Sequence, residues 1–579
     1  MIEHDSEDIR ERTNGDGSTN ELRPDRTGKF PWRHARSNVV VRAVEWLVAF
    51  AVLGYGALLL GTALRLSLGT PFRFIDDYGD WNAVSVFESG NFGKWLFGEV
   101  LSGTHGRWRP GFTLWNAVVW TLFGANPALH HLSRLAATAA TATMSAAFVS
   151  QAFKRPLSRL SRIDRTVVLA IPVLLILFWP NRPDARLAPQ EIPSALWLSA
   201  ANLLLLRIVR AARNASLPAK IAEFAAFSAT LFLLAISKET NIAFLPVFLL
   251  AAAVSARRVP IGTAVSIGLV SSAVLALSVR NVLGAMQGEG YAHAAISTST
   301  TIQNAAVLVR DLFGFPVSVP LAIVLLSAVV APFFRAIAVV GKPKRTEESA
   351  WTALLCAETA GLFAILCLQW MVVLRYWYPL VPLAASLASV SALSLFRRYP
   401  DRAAGIRTFL AFSAASFLVC NGHDYCHQFV VQRTAGEVEK AALVVASREA
   451  AEGRTVLVRT PETSEYHDKF LMAAGPFRRR FGGTPIPLTA LQGRPMSLET
   501  DETYATMARK ELPVQPFEIR SCTPADLPVR PALQLFRKGS ALFQGRQHPV
   551  ERLDAGVVDT RYVWVFFRGP VPESKVSSR

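Results

Sequence analysis

Asp76 and Asp77 form a pair of adjacent carboxylates shortly after the first long apolar segment of the chain. Neighbouring carboxylates at a membrane boundary lose hydration and repel each other, so their presence there predicts a role in binding or proton transfer. If residues 77–90 are helical, Trp81 shares a face with Asp77, whereas Glu88 lies roughly 16 Å away, too far to share a reacting centre. A helix N-cap is the structural alternative for the two aspartates.

Three arginines follow at positions that suit a phosphate group. Arg107 and Arg109 lie in the motif GRWRP, and Arg134 lies near the start of the next long apolar segment. A guanidinium group presents paired N–H donors that match phosphate oxygens. Snorkelling toward lipid headgroups is the alternative for Arg107 and Arg109. All three are candidate substrate-binding residues.

Four further charged residues stand at the ends of apolar segments: Glu191, Lys238, Glu239 and Arg375. Lys238 and Glu239 fall between two apolar runs with no real loop, where burial is costly unless they pair or bind a ligand. Both interpretations stay open for them. Glu191 is predicted either to orient an acceptor or to cap the helix that follows it. Arg375 lies among aromatic residues, and an aromatic belt alone does not account for an arginine.

The composition indicates a polytopic membrane protein of the all-α class. Apolar residues make up 51% of the 579 residues and charged residues only 18%, which is too apolar for an ordinary soluble protein. The net charge of +18 comes from basic residues that bracket apolar segments, so no nucleic-acid partner is predicted. The cysteines form no CxxC pair, which argues against a thiolate metal site. The sequence names no cofactor, and the participation of a divalent cation stays open.

The apolar segments predict about eleven transmembrane helices, because a span needs about 20 apolar residues. Their approximate ranges are 44–66, 128–153, 166–180, 193–210, 219–236, 240–256, 260–280, 316–340, 351–374, 377–396 and 407–421.

The segment from Gly111 to Ala125 is apolar but short. A helix of about 15 residues covers only roughly 22 Å of a hydrocarbon core of roughly 30 Å. We therefore predict an interfacial helix that lies flat. A stripe at helical spacing is predicted to rest on lipid, and it consists of Phe112, Trp115, Val119 and Leu122.

The distribution of basic residues predicts the orientation. With eleven spans, the segments on one side hold 27 lysines and arginines and the opposite loops hold about eight, so the first set is cytoplasmic by the positive-inside rule. The N-terminus is then cytoplasmic in a plasma (inner) membrane. The candidate site residues fall on the outer side.

Three regions differ in composition. Residues 1–42 are polar and predicted to be disordered and cytoplasmic. Residues 43–421 form the membrane domain, with an outer catalytic loop at 67–127. Residues 422–579 read as a small outer α/β domain, with a helix at 437–450 and strands at 455–460, 532–538 and 562–569.

Taken together, five motifs resemble the GT-C superfamily of membrane glycosyltransferases that use polyprenyl-phosphate-linked sugars, including protein O-mannosyltransferases and the aminoarabinose transferase of lipid A. The resemblance covers about residues 44–396. The motifs are IDD at 75–77, GRWRPGFTLWNAVVWTLFGANPALHHLSRL at 106–135, PQE at 189–191, SKET at 237–240 and RYWYPLVP at 375–382.

The resemblance implies an inverting transfer of a sugar from a polyprenyl-phosphate donor to a hydroxyl of a glycan, lipid or protein on the outer face. It places the general base on Asp76 or Asp77, and we favour Asp77 because it shares a face with Trp81. It places phosphate binding on some of a set of basic residues, which are Arg109, Arg134, Lys238 and Arg375.

Two other functions are considered. A transporter or flippase of lipid-linked sugars would also place charged residues near the bilayer boundary, but its expected sign is broken helices in matched halves, and the sequence shows no such duplication. A non-catalytic membrane assembly protein would leave the aspartate pair replaceable. Partners under the main hypothesis are the donor lipid, the acceptor and membrane lipid.

Overall fold

The computed structural model is a helical bundle with a small antiparallel sheet. Asp76, Asp77, Trp81, Arg107 and the predicted span at 316–340 lie outside the residues that it describes. It describes residues 32–72, 90–91, 93–94, 109–124, 126–179, 190–211, 216–255, 260–286, 299, 301–302, 305, 347–367, 374–419, 421–422, 425–426, 429, 457–459, 516–518 and 565–567.

Twelve helices are numbered here in chain order. They are α1 Trp32–Leu68, α2 Pro110–Phe123, α3 Pro127–Ala152, α4 Lys154–Ser158, α5 Arg162–Leu177, α6 Glu191–Ala211, α7 Leu217–Ser237, α8 Leu245–Ser255, α9 Ile261–Met286, α10 Glu347–Cys367, α11 Leu380–Arg398 and α12 at 403–419. Two 3-10 turns adjoin the candidate site, at Glu239–Phe244 and Leu374–Trp377.

The helical membrane architecture predicted from composition is confirmed. In the described part of the chain, seven helices are long and apolar enough to cross a membrane, and they contain Trp46–Leu68, Glu191–Arg210, Leu217–Ser237, Ile261–Asn281, Glu347–Cys367, Leu380–Arg398 and Pro400–Val419. Helices α3 and α5 pack beside them in the bundle. The count of eleven spans stays a prediction.

One end of the bundle is tied together by arginines. Arg210 at the end of α6 donates to the carbonyls of Gln151 and Ala152 at the end of α3. It also pairs at 2.7 Å with Glu347 at the start of α10. These contacts place the C-terminal ends of α3 and α6 and the N-terminal end of α10 together, and we call this the basic end.

The opposite end is the site end, and α2 lies across it. Arg109, just before α2, contacts Glu239, which follows α7. Near the other end of α2, the Trp120 ring lies 5.4 Å from His130 in the first turn of α3 and 6.1 Å from Phe72, which follows α1. Since both ends of α2 meet the same end of the bundle, the helix lies across it, as the short apolar segment predicts.

The face that α2 turns to the bundle differs in part from the prediction. Of the residues predicted to rest on lipid, Leu122 is 68% exposed, as expected, but Phe112 and Val119 are each only 7% exposed. Val118, which lies outside the predicted stripe, is 50% exposed. The reason is that α2 is apolar on both sides, so apolar spacing alone could not tell the protein face from the exposed face. The larger side chain, Phe112, packs inward.

A three-stranded antiparallel sheet follows the bundle in sequence. The strands are β1 Leu457–Arg459, β2 Pro516–Glu518 and β3 Val565–Phe567, in the order β1-β3-β2. β1 and β3 fall within predicted strands, whereas β2 was not predicted. The strand predicted at 532–538 and the helix predicted at 437–450 lie outside the described residues, so the α/β domain stays a prediction.

Candidate functional site

A buried ion pair joins the ends of α6 and α7. Helix α7 ends at Ser237, and Lys238 takes an extended conformation, with φ −161° and ψ 143°. Its ammonium lies 2.5 Å from Oε1 of Glu191, the first residue of α6, and each side chain is only 2% exposed. An unpaired charge would be costly at this depth, so each group makes the burial of the other tolerable.

An aromatic ring covers the same ammonium. The Lys238 nitrogen lies 3.4 Å from the ring centroid of Tyr376, close enough for a cation–π interaction. Tyr376 lies in the turn Leu374–Trp377, directly before α11. The RYWYP motif therefore supplies a wall of the site, and the backbone of Arg375 lies in the same turn.

A second ion pair lies beside the first. The Arg109 Nε donates to both carboxylate oxygens of Glu239, at 2.8 and 2.9 Å. Gly111 allows this approach, because a Cβ at that position would lie 2.6 Å from Cγ1 of Ile236 and 3.0 Å from its carbonyl carbon. Pro110 opens α2 without losing a backbone hydrogen bond. The sequence Arg-Pro-Gly thus starts α2 and seats it against α7.

Arg134 is held under α2 by a separate set of contacts. It is 2% exposed, and its Nη2 donates to Oδ1 of Asn116 at 2.9 Å. Its guanidinium carbon lies 5.7 Å from the ring centroid of Phe112 and 5.9 Å from that of Trp115. α2 therefore lies between the two arginines in sequence and in contact. Arg109 immediately precedes it, and Arg134 contacts Phe112, Trp115 and Asn116 on it.

Burial shapes the electrostatics of the first ion pair. Desolvation lowers the pKa of Lys238 to about 8, against the opposing effect of the Glu191 carboxylate, and the nearby Arg109 charge lowers it further. The second carboxylate oxygen of Glu191 and Oε1 of Gln190 are buried without hydrogen-bond partners. Buried polar atoms of this kind are uncommon in folded proteins and are expected where a ligand or water binds.

The structure brings together four residues singled out from the sequence, and it joins them as two ion pairs. Lys238 and Glu239 do not pair with each other: Lys238 binds Glu191, and Glu239 binds Arg109. The extended backbone at Lys238 accounts for this, because it directs neighbouring side chains to different sides.

The remaining predicted site residues divide into two groups. Arg134 lies one helix away under α2, and Arg375 is placed only by its backbone. The others, Asp76, Asp77, Trp81 and Arg107, lie outside the described residues, and their roles stay predictions.

Sequence reasoning did not identify several contributors. Asn116 holds Arg134, and Asn241 links α7 to α6. Asn241 directly follows the SKET motif. Its amide, next to charged residues that separate two apolar runs, was the sequence signal that could have identified it. Tyr376 lies inside a motif that was noted, but its aromatic residues were assigned to an interfacial belt.

No metal centre is formed by the residues that the structure describes. Among them, no three His, Cys, Asp or Glu side chains lie close enough together to hold an ion. Whether a divalent cation takes part in the function therefore stays open, as it does from the sequence.

Three solved structures were found to be similar to this chain. The chain is similar to ArnT from Cupriavidus metallidurans in the apo state, at 12% identity and a TM-score of 0.45, over 92% of this chain and 100% of that one. ArnT from the same organism bound to undecaprenyl phosphate matches at 14% identity and a TM-score of 0.45, over 91% and 100%.

An oligosaccharyltransferase of Archaeoglobus fulgidus in the apo form matches at 12% identity and a TM-score of 0.38, over 79% of this chain and 61% of that one. No family model matches the chain, and no curated protein matches it.

Proposed function

We propose that the protein is an inverting glycosyltransferase that moves a sugar from a polyprenyl-phosphate donor to a hydroxyl of a glycan, lipid or protein at the outer face of the membrane. The observation that carries the proposal is the buried charge cluster of Lys238, Glu191, Arg109 and Glu239 at one end of a membrane bundle. An anionic headgroup on a lipid tail would reach such a site from the bilayer.

The donor capacity of the cluster supports phosphate binding. An ammonium carries three N–H donors, and Glu191 takes one of them. Arg134, under the same helix, adds a cation that lies against two aromatic rings of that helix. These five side chains carry three positive and two negative charges, so the balance favours an anion.

The proposed reaction is a single displacement. Asp77, or Asp76 beside it, accepts the proton of the acceptor hydroxyl as its oxygen bonds to the anomeric carbon, and the bond from that carbon to the phosphate oxygen breaks. General-base catalysis of this kind contributes roughly 10² to 10⁴ in rate. The departing polyprenyl phosphate gains negative charge, which Lys238, Arg109, Arg134 and Arg375 would stabilise.

Turnover of a radiolabelled polyprenyl-phosphate sugar by membranes that carry the protein tests this proposal. Asp76→Asn and Asp77→Asn keep the side-chain size but remove the base. We expect at least one of them to lose 10²-fold or more of the transfer rate, the scale of general-base catalysis. Binding of the donor should persist in both.

The matched control is Glu88→Gln, which removes a carboxylate from the same stretch at a position that a helix over residues 77–90 would place roughly 16 Å from Asp77. Full activity in both aspartate variants and in the double variant would exclude the assigned base. Movement of the labelled lipid across the bilayer without transfer of its sugar would favour a flippase instead.

A further inference from the structure

We infer that Asn241 is the positioning residue that holds Lys238 against Glu191, an inference that rests on the proposed function of the Lys238 site. Asn241 is fully buried at 0% exposure and lies in the 3-10 turn that follows the break after α7. It contacts the chain on both sides of that break and also contacts α6.

Three hydrogen bonds fix the break. The backbone N–H of Asn241 donates to the carbonyl of Lys238 at 3.0 Å, which closes the turn. Its side-chain amide donates at 2.7 Å to the carbonyl of Leu234, in the last turn of α7, where backbone acceptors lack partners along the helix. The same amide donates at 2.9 Å to the hydroxyl of Ser194 on α6.

The bonds to α6 form two parallel links with the same spacing. Glu191 and Ser194 are three residues apart on one face of α6, and Lys238 and Asn241 are three residues apart across the break. Lys238 binds Glu191, and Asn241 binds Ser194. Ser194 is itself held by a 2.9 Å bond to the carbonyl of Gln190. The Asn241 link therefore limits how far the Lys238 segment can turn away from Glu191.

The amide suits this role better than other polar groups. An asparagine amide carries two N–H donors, which can serve two acceptors on different helices. An aspartate is acceptor-only when ionised, and leucine supplies no polar group. Loss of the amide would therefore free the extended backbone at Lys238 to move. The charged residues that face Lys238, which are Glu191, Arg109 and Glu239, would all stay in place.

The test compares Asn241→Leu, Asn241→Asp and Ser194→Ala in the full-length protein in detergent. Binding of undecaprenyl phosphate and steady-state transfer are both measured across pH. We expect the donor KM and the dissociation constant of undecaprenyl phosphate to rise about tenfold in Asn241→Leu, the scale of one lost buried hydrogen bond. We expect kcat to change less, and the pH at which binding is lost to shift.

Ser194→Ala guards against a misfolded variant, because alanine is well tolerated in helices. It removes the link from Asn241 to α6 and a bond from Ser194 to Gln190 within α6. It should weaken binding in the same direction and by a smaller factor. Asn202→Leu is the matched control, since it removes a buried amide from the middle of α6 away from the site. It should leave the pH at which binding is lost unchanged.

The outcomes separate the two hypotheses. Wild-type protein that neither binds undecaprenyl phosphate nor transfers sugar would refute the proposed function. Wild-type protein that does both, beside folded Asn241 and Ser194 variants with unchanged affinity and pH profile, would refute the positioning role alone.

Discussion

Lys238 shows how a single backbone break can bury a charged side chain at the end of a helix. A lysine in the last turn of an apolar helix would normally extend toward water. Here the extended conformation at Lys238 turns the side chain into the protein, onto Glu191 and beneath Tyr376. Burial lowers its pKa to about 8, so its charge depends on pH in a range where most lysines stay protonated.

The pKa of Lys238 predicts an alkaline limit for donor use. Below about pH 8 the ammonium is present, and above it the amine is neutral and holds phosphate poorly. Because kcat/KM reports groups of the free enzyme, kcat/KM for the donor should fall above about pH 8. Lys238→Arg keeps its charge across this range, so the fall should disappear even if the rate at neutral pH is reduced.

Protein stability should depend on pH in the opposite sense. The pKa of Lys238 in the folded protein lies below the value of 10.5 for an ordinary lysine, so the unfolded chain binds the proton more tightly. The contribution of Lys238 to stability therefore increases as the pH rises from about 8 to about 10.5.

The Lys238→Arg comparison also shows which result would contradict the kcat/KM prediction. If kcat/KM for the donor falls at the same alkaline pH in Lys238→Arg and in wild type, the titrating group is not Lys238.

At the residue scale, the sequence marked charged side chains that the structure places together at one end of the bundle, but it did not identify their partners. The cost of charge at a membrane boundary marks Glu191, Lys238 and Glu239 without any structure. The pairing of Glu239 with Arg109 could not be predicted, because it depends on the approach of α2, which brings Arg109 to Glu239. Contacts between residues 130 positions apart leave no local pattern in the sequence.

Helices α6 and α10 are linked by a polar contact far from the site. Asn202 Nδ2 donates to Oε2 of Glu358 at 2.8 Å, and the remaining oxygen of each side chain is buried without a partner. Glu358 is 0% exposed. Polar groups in the interior of a membrane bundle join helices by such contacts.

Substitutions at Glu358 should separate hydrogen bonding from charge. Glu358→Gln offers an acceptor and a donor, so it can bond to both groups of the Asn202 amide, and we expect stability to be kept or increased. Glu358→Leu leaves that amide buried and unpaired, which should cost about 1–3 kcal/mol. Thermal unfolding in detergent measures both effects.

Asn202→Leu combined with Glu358→Leu completes the cycle. The double variant should recover part of the loss seen in Glu358→Leu, because no polar group is then left unpaired. Strict additivity of the two leucine substitutions would show that the contact contributes nothing between α6 and α10.

Across the whole molecule, charge separates the two ends of the bundle. The basic end carries exposed or partly exposed pairs, such as Arg210–Glu347 and Arg397–Glu348, and each such pair contributes little to stability. The site end carries the buried pair Lys238–Glu191. The arginines at the basic end are of the kind that the positive-inside rule uses to predict orientation. The charges at the site end are costly to bury and are expected to have a function.

Much of this architecture follows from the sequence. Apolar length predicted the helices, because the bilayer imposes a minimum length on each span. The length of α2 predicts that it does not cross the membrane, and this stays a prediction. Its inward face was not predictable, since Phe112 and Leu122 are equally apolar and only packing distinguishes them. Strand β2 was not predicted, because Pro516–Glu518 is too short to show alternation.

The arrangement of the two ends predicts opposite accessibility for two exposed positions. Asn91 follows α1 in sequence on the way to α2, and Ser158 lies in α4 beyond the end of α3; both are exposed. In a variant whose natural cysteines are replaced, Asn91→Cys should react with a membrane-impermeant maleimide added outside intact cells, and Ser158→Cys only after permeabilisation. Reaction of Ser158→Cys and Asn91→Cys from one side would require α2 to cross the membrane, and it would reverse the side predicted for every helix end that follows.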